Sequence, residues 1–225
     1  MNRNHHALCA MLLAFVLILV MCSQFIRDFS ARADTEKVVY LTFDDGPSDR
    51  VTPKILDVLK EEKVKATFFV VGRSAEDRKY LLEREISEGH TVAVHSYSHN
   101  YSQIYSSAES LLDDIDKCNE VIKSVTGSYS TVYRFPGGSF GLDCKLIDAV
   151  KSHGMKYVDW NASLCDAEYN CAPTDILYSN AVDTSKGHNR VILLAHDSTT
   201  KITTAEALRD IIKYFKNQSY KFATL

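Results

Sequence analysis

Val38-Val39-Tyr40-Leu41-Thr42-Phe43-Asp44-Asp45-Gly46-Pro47 is the stretch from which the rest of the chain can be read. Val38 to Leu41 are all apolar or aromatic, the pattern of a strand buried on both faces. The run then breaks into Asp44-Asp45-Gly46-Pro47, strong turn punctuation that sets two adjacent carboxylates at the strand's C-terminal tip. By itself this is either an ordinary strand-to-loop turn, where Asp serves local hydrogen bonding, or a pair of acids placed for chemistry. The later strand tips decide between the two.

Downstream, hydrophobic runs and amphipathic segments alternate. Pro53–Glu62 reads as a helix, with Thr52 as its N-cap and Pro53 at its first position. A strand over Lys65–Val71 follows, then a charged helix over Glu76–Glu88 and a strand over Thr91–His95. The spacing next predicts a helix over Ser107–Val125, a strand over Thr131–Arg134 and a helix over Asp143–His153. The remainder reads as strand Lys156–Asp159, helix Thr174–Thr184, strand Val191–Ala195, helix Thr204–Asn217 and strand Lys221–Leu225. Seven strands alternating with helices, without linker or repeat, imply a parallel sheet with crossover helices. A closed or nearly closed barrel suits that count, with a doubly wound open sheet as the alternative.

At 225 residues, with 45% apolar and 24% charged residues, the chain has the composition of one folded domain with a continuous core. The N-terminus is the one clear break. Ala7–Ile26 (ALCAMLLAFVLILVMCSQFI) carries no charge and lies between Arg3 and Arg27. About 20 apolar residues are enough to cross a bilayer, so residues 1–33 read as a signal peptide or a signal anchor. Ala31-Arg32-Ala33 is a weak cleavage site, and Met21 is too large to precede a lipidated Cys22. Either reading exports residues 34–225, as a membrane-anchored domain facing outward or as a secreted one. The leader holds Arg3, Arg27, Arg32 and Asp28 of the chain's 26 basic and 29 acidic groups, which leaves 23 basic and 28 acidic in the domain. That acidic balance, without a basic stripe, argues against a nucleic-acid partner. Four of the six cysteines lie in the domain: Cys118, Cys144, Cys165 and Cys171. A local Cys165–Cys171 bridge around DAEYN is the first reading and four free thiols the second, and none shows CxxC spacing.

Residues just past each strand collect polar chemistry: Asp44 and Asp45, then His95 and His99, then Arg134 with Pro136-Gly137-Gly138, then Asp159-Trp160, then His196-Asp197. In a parallel barrel these tips share one face, where active sites sit. His95-Ser96-Tyr97-Ser98-His99 spaces two imidazoles four residues apart, which on a helical turn would bring both to one metal. One of the two aspartates completes a His-His-Asp set with open positions, as a catalytic metal needs, and leaves the other as a base. Arg134 can orient that base, backbone N–H groups of the glycine turn can form an oxyanion hole, and His196 can serve as general acid with Asp159 fixing its tautomer. The plain alternatives are a capped strand end for His196 and simple packing for Asp159-Trp160.

TFDDGP, HSYSH, RFPGGS, VDW and ILLAHD, in this order, resemble the five motifs of the polysaccharide deacetylases, carbohydrate esterase family four, or NodB homology domain. The resemblance covers nearly all of residues 36–225. It implies a distorted (β/α) barrel that removes N-acetyl or O-acetyl groups from sugar polymers with one divalent ion, usually zinc, or else cobalt, manganese or nickel. Carried over by motif, Asp44 is the base, Asp45, His95 and His99 are the ligands, and Arg134 orients the base. Asp159 tunes the acid, His196 is the acid, Gly137 supplies the oxyanion N–H, and Trp160 and Leu194 shape the acetyl pocket. One departure is Gly137 itself: many members carry an aromatic residue there, so the aromatic wall beside the sugar is expected to be missing. The implied substrate is an extracytoplasmic N-acetylglucosamine polymer, peptidoglycan first, with chitin oligomers, an exopolysaccharide or acetylated xylan as alternatives. The rivals from other classes are a retired domain that binds glycan without cleaving it, and a metal-free glycosidase with two carboxyls about 5 Å or more apart.

Overall fold

The computed structural model describes residues 36–169 and 171–225, together with positions 18, 19, 21, 23 and 24 of the leader, all five of them helical. Most of the apolar segment 7–26 lies outside the described residues. Among the described residues no helix is long and apolar enough to cross a membrane. The chain divides into two compact units, 1–36 and 37–225, and the second carries the chemistry.

Its central strand is β1 (Val38–Asp44), whose last four residues are all buried. β2 (Thr67–Val71) is buried at all five positions, as expected of a strand covered on both faces. With β3 (Thr91–Ser96), β4 (Val132–Tyr133), β5 (Lys156–Tyr157), β6 (Ala162–Ser163) and β7 (Arg190–His196) they form one parallel path, β5-β4-β3-β2-β1-β7-β6, curled into a half-barrel. An eighth strand, β8 (Lys221–Ala223), pairs with β1 at Val38–Tyr40, while β2 pairs with β1 at Thr42–Asp44. β8 and β2 therefore lie end to end along one edge of β1, and the Leu225 N–H reaches Thr67 Oγ1 at 3.0 Å. Among the described residues no ladder joins β5 to β6, so the barrel stays open where Val158–Asn161 crosses.

The helices are α1 (Thr52–Glu62), α2 (Gly72–Asp77), α3 (Lys79–Ser87), α4 (Tyr101–Ile104), α5 (Ala108–Thr126), α6 (Cys144–Ser152), α7 (Thr174–Ser185) and α8 (Ile202–Asn217). α5 shows why the boundaries fall where they do. Ser107 Oγ accepts the Ser110 N–H at 3.0 Å at its start, and Gly127 takes φ 79° at its end. The core is one cluster, in which Phe43 and Phe68 stack at 5.3 Å and Ile55, Leu59, Ile211 and Phe215 from α1 and α8 are fully buried.

Several elements depart from the sequence reading. The single helix expected over 76–88 is two helices, broken at Arg78 (φ −133°, ψ 40°), whose Nε donates to Asp49 Oδ2 at 2.8 Å. The strand expected over 156–159 ends at Tyr157, and β6, absent from the reading, is two residues long and pairs with β7 through Ala162↔Leu193 and Ser163↔Leu194. Thr52 does not cap α1: the cap position falls on Val51, and Thr52 Oγ1 accepts the Ser48 N–H at 2.8 Å while its hydroxyl donates to Asp197 Oδ2 at 2.5 Å. All four domain cysteines are free, so the Cys165–Cys171 bridge does not form.

Candidate active site

β1 and β7 end level with each other: Asp44 and His196 are register partners. Paired residues of neighbouring parallel strands point to the same face at the strand spacing of about 4.8 Å. The base and acid candidates are thus set side by side by the ladder itself, and both are buried. Leu194, two residues before His196, lies on that same face and is also buried.

One residue later the backbone turns. Asp45 has φ 74°, a left-handed conformation that ends the strand. Its Oδ1 lies 3.0 Å from His99 Nε2 and 3.4 Å from His95 Nε2. His95, the penultimate residue of β3, has Nδ1 on the Arg134 carbonyl at 2.9 Å. A carbonyl only accepts, so Nδ1 carries the proton and Nε2 presents a lone pair toward Asp45. The expectation of a helical turn between the two histidines is corrected here: His95 is in a strand and His99 in the loop after it, at φ 53°. Asp114 of α5 holds that loop by accepting the Tyr97 N–H at 2.7 Å, the Ser98 N–H at 3.0 Å and the Ser96 hydroxyl. Ser96 Oγ in turn accepts the His99 N–H at 2.8 Å. Burial works against the Asp45 carboxylate, yet wherever the two imidazoles beside it are protonated they hold it well below the usual range. Asp45 Oδ1 is buried and lacks an aligned hydrogen-bond donor. One acceptor oxygen and two imidazole nitrogens, all within 4.8 Å of one another, fit a divalent cation.

Arg134 is fully buried behind Asp44. Its Nη1 donates to Asp44 Oδ1 at 2.9 Å and to Thr42 Oγ1 at 2.7 Å, Nε to the Val158 carbonyl at 3.0 Å, and Nη2 to the Asp159 carbonyl at 3.3 Å. The guanidinium also lies 4.1 Å from the centre of the Phe69 ring.

His196 is held by a residue that the sequence reading missed. Its Nδ1 is 2.8 Å from Asp166 Oδ1, and its N–H donates to Asp166 Oδ2 at 2.8 Å. Burial pulls the imidazole pKa down, but the Asp166 hydrogen bond and charge, with Asp44 and Asp45 nearby, raise it to about 9. The assignment of Asp159 to His196 is therefore corrected. The Asp159 carboxylate accepts the Ser139 N–H at 3.0 Å and the Ser139 hydroxyl, bracing the loop after β4. The physical reason is the early end of β5: the chain turns Asp159 toward residues 135–139, and the loop after β6 brings Asp166 under His196. The available signal was an aspartate in the loop just ahead of α7, in the DAEYN run read only for its cysteines.

Gly137 and Gly138 take φ 79° and 84°. The Gly138 N–H closes the turn on the Phe135 carbonyl at 2.8 Å, whereas the Gly137 N–H has no acceptor among the described residues. A Cβ on Gly138 would sit 3.0 Å from Trp160 Cη2, and one on Gly137 would sit 3.1 Å from Tyr101 Cε1. The space beside Gly137 is thus occupied by the Tyr101 ring of α4.

The polysaccharide deacetylase family model matches residues 31–158. The chain is 34% identical over 192 residues to the peptidoglycan-N-acetylmuramic acid deacetylase PdaA of Bacillus subtilis, covering 84% of this chain and 70% of that one. It is 33% identical over 190 residues to a peptidoglycan-N-acetylglucosamine deacetylase of Bacillus cereus, covering 83% and 68%. Among solved structures it resembles the catalytic domain of a peptidoglycan N-acetylglucosamine deacetylase from Eubacterium rectale, with a TM-score of 0.78 and 37% identity over 84% of this chain and 88% of that one.

Proposed function

Because the chain belongs to the polysaccharide deacetylase family, we propose that it hydrolyses the N-acetyl group of N-acetylglucosamine units in an extracytoplasmic glycan, peptidoglycan first among them. One observation carries the reading: the Asp44–His196 register pair lies beside the converging Asp45, His95 and His99 ligand set. Adjacent aspartates are thereby separated into two jobs. The relatives' names support peptidoglycan as the polymer, one naming N-acetylmuramic acid and two N-acetylglucosamine.

Asp45, His95 and His99 would hold a divalent cation, zinc in the usual case, which when bound would supply Lewis acidity. The chain's own residues do the rest. Asp44 accepts a proton from the attacking water, oriented and counter-charged by Arg134 through Nη1 at 2.9 Å. The Gly137 N–H, lacking a protein acceptor, faces the oxyanion as charge develops on the former carbonyl. His196, protonated and steadied by Asp166, gives its Nε2 proton to the departing sugar nitrogen. Trp160 and Leu194 wall the acetyl methyl, and Asp159 keeps the Gly137–Ser139 turn in place. Residues 1–33 export the domain, as a cleaved signal peptide or a retained anchor, and N-terminal sequencing of the protein from membrane and culture-fluid fractions distinguishes these.

The activity is tested by mass spectrometry of muropeptides and chitin oligomers before and after incubation with zinc-loaded protein. The expected result is acetate release with loss of the acetyl group from glucosamine, abolished by a chelator and restored by zinc. Acetyl loss from muramic acid alone would redirect the substrate. No acetate from any N-acetylated glycan would overturn the reading.

A further inference from the structure

Tyr101 opens α4 and stands at the edge of the site without a role in the chemistry above. Its ring meets His99 edge-on, with centroids 5.4 Å apart, and Tyr105 in the same manner at 5.9 Å. Tyr105 is itself fastened to the oxyanion turn, its hydroxyl donating to the Pro136 carbonyl at 2.7 Å. On the Gly137 side the fit is close: a Cβ there would lie 3.1 Å from Tyr101 Cε1 and 3.2 Å from its Oη. The ring is therefore fixed by the metal-ligand loop, by α4 and by the turn at once.

Yet Tyr101 remains 48% exposed, and its hydroxyl has no hydrogen-bond partner among the described residues. A large aromatic surface kept rigid and half in solvent, with a free polar tip, is how proteins present rings to amphipathic ligands. Trp160 occupies the corresponding place at Gly138, where a Cβ would meet its Cη2 at 3.0 Å. The two-glycine turn thus runs between two rings. A Cβ on either glycine would press its neighbouring ring back by a few tenths of an ångström.

We infer that Tyr101 is the sugar platform of this site: its exposed ring packs on the pyranose whose acetamide reaches Asp44 and Gly137, and it occupies the space beside Gly137. The C–H faces of a pyranose suit the electron-rich face of an aromatic ring. The inference rests on the deacetylase reading for where the sugar lies. Tyr101 is accordingly a specificity-determining residue supplied by the loop after β3, and not by the turn after β4.

The test uses zinc-loaded protein carrying Asp44→Asn, so that sugar binds without turnover. Trp160, the chain's one tryptophan, reports binding of the N-acetylglucosamine tetramer by its fluorescence. Tyr101→Leu is expected to raise the Kd about tenfold, equivalent to about 1.4 kcal/mol. Tyr101→Phe, which keeps the ring, should stay within about threefold. With Asp44 restored, Tyr101→Leu should act mainly on KM. An unchanged Kd in Tyr101→Leu overturns the inference, as does a Phe variant no better than Leu. Zinc loss in Tyr101→Leu also overturns it, since the ring would then be a prop for His99. If the parent binds the tetramer but releases no acetate from any glycan, the deacetylase reading falls while the Kd comparison still judges Tyr101.

Discussion

Asp166 and His196 share two hydrogen bonds, side chain to side chain and side chain to backbone, each 2.8 Å long. Asp166 is almost wholly buried, and Thr204 Oγ1 donates to its second oxygen at 2.8 Å. The pair counteracts burial, which alone would lower the imidazole pKa, and raises it to about 9. The sign follows directly. A raised histidine pKa contributes stability that is complete below the unfolded value near 6.5 and lost as pH rises through about 9. A general acid likewise works only while protonated. Asp166→Asn should therefore lower kcat about 100-fold or more and move the basic limb of the pH–rate profile to lower pH. An unmoved basic limb would show that Asp166 does not tune the acid.

Arg134 is expected to resist even conservative exchange. Its guanidinium serves Thr42, Asp44 and the carbonyls of Val158 and Asp159 at once. A lysine offers one point charge on a flexible stem and cannot meet all four acceptors. Removing the partner of a buried charge costs about 3–5 kcal/mol. Arg134→Lys should lose at least about 2 kcal/mol in urea unfolding and fall about 100-fold in kcat/KM. Near-parental activity in the lysine variant would contradict the orienting role.

Much of this was open to reading because the strongest strands are long and apolar. β1, β2, β3 and β7 were each visible as hydrophobic runs, and their tips carry Asp44, Asp45, His95 and His196. What escaped was short or determined by distant contacts. β6 has two residues and no periodicity to detect, and its pairing partner lies about thirty residues away in β7. Once that strand is missed, the loop carrying Asp166 has no place in the barrel and the nearest tip acid, Asp159, takes its role by default. Thr52 shows a different failure. Ser or Thr before Pro is a good N-cap signal, but here the helix begins at Thr52 itself, and the Ser48 N–H takes the acceptor oxygen that a cap would need.

Asp114 should govern metal affinity without touching the metal. It clamps the backbone of Tyr97 and Ser98 and the hydroxyl of Ser96, and through Ser96 it reaches the His99 N–H. Residues that hold ligands in place are worth about 10–100-fold in metal affinity. Asp114→Ala is thus expected to weaken zinc binding by that factor in competition with a chromophoric chelator. Asp114→Asn, which keeps an acceptor oxygen, should lie between. Parental zinc affinity in both variants would mean that the loop holds its shape without the clamp.

Gly46 has no room for a side chain of any kind. A Cβ there would lie 2.1 and 2.2 Å from the two carboxylate oxygens of Asp197. Asp197 cannot retreat cheaply, because its Oδ2 holds the Thr52 hydroxyl at 2.5 Å, its carbonyl the Ser48 hydroxyl at 2.6 Å and its N–H the Asp44 carbonyl at 3.1 Å. Overpacking of this kind costs about 1–3 kcal/mol, and here the strain falls on the residue following Asp45. Gly46→Ala should therefore lose both stability and zinc affinity. Because the cost is a collision between two named groups, it should be non-additive: Gly46→Ala in an Asp197→Ala background should destabilise less than in the parent by at least about 1 kcal/mol. Urea unfolding of the four proteins in that cycle measures the coupling. Simple additivity would place the strain in the backbone of the Asp45–Pro47 turn and not in the contact with Asp197.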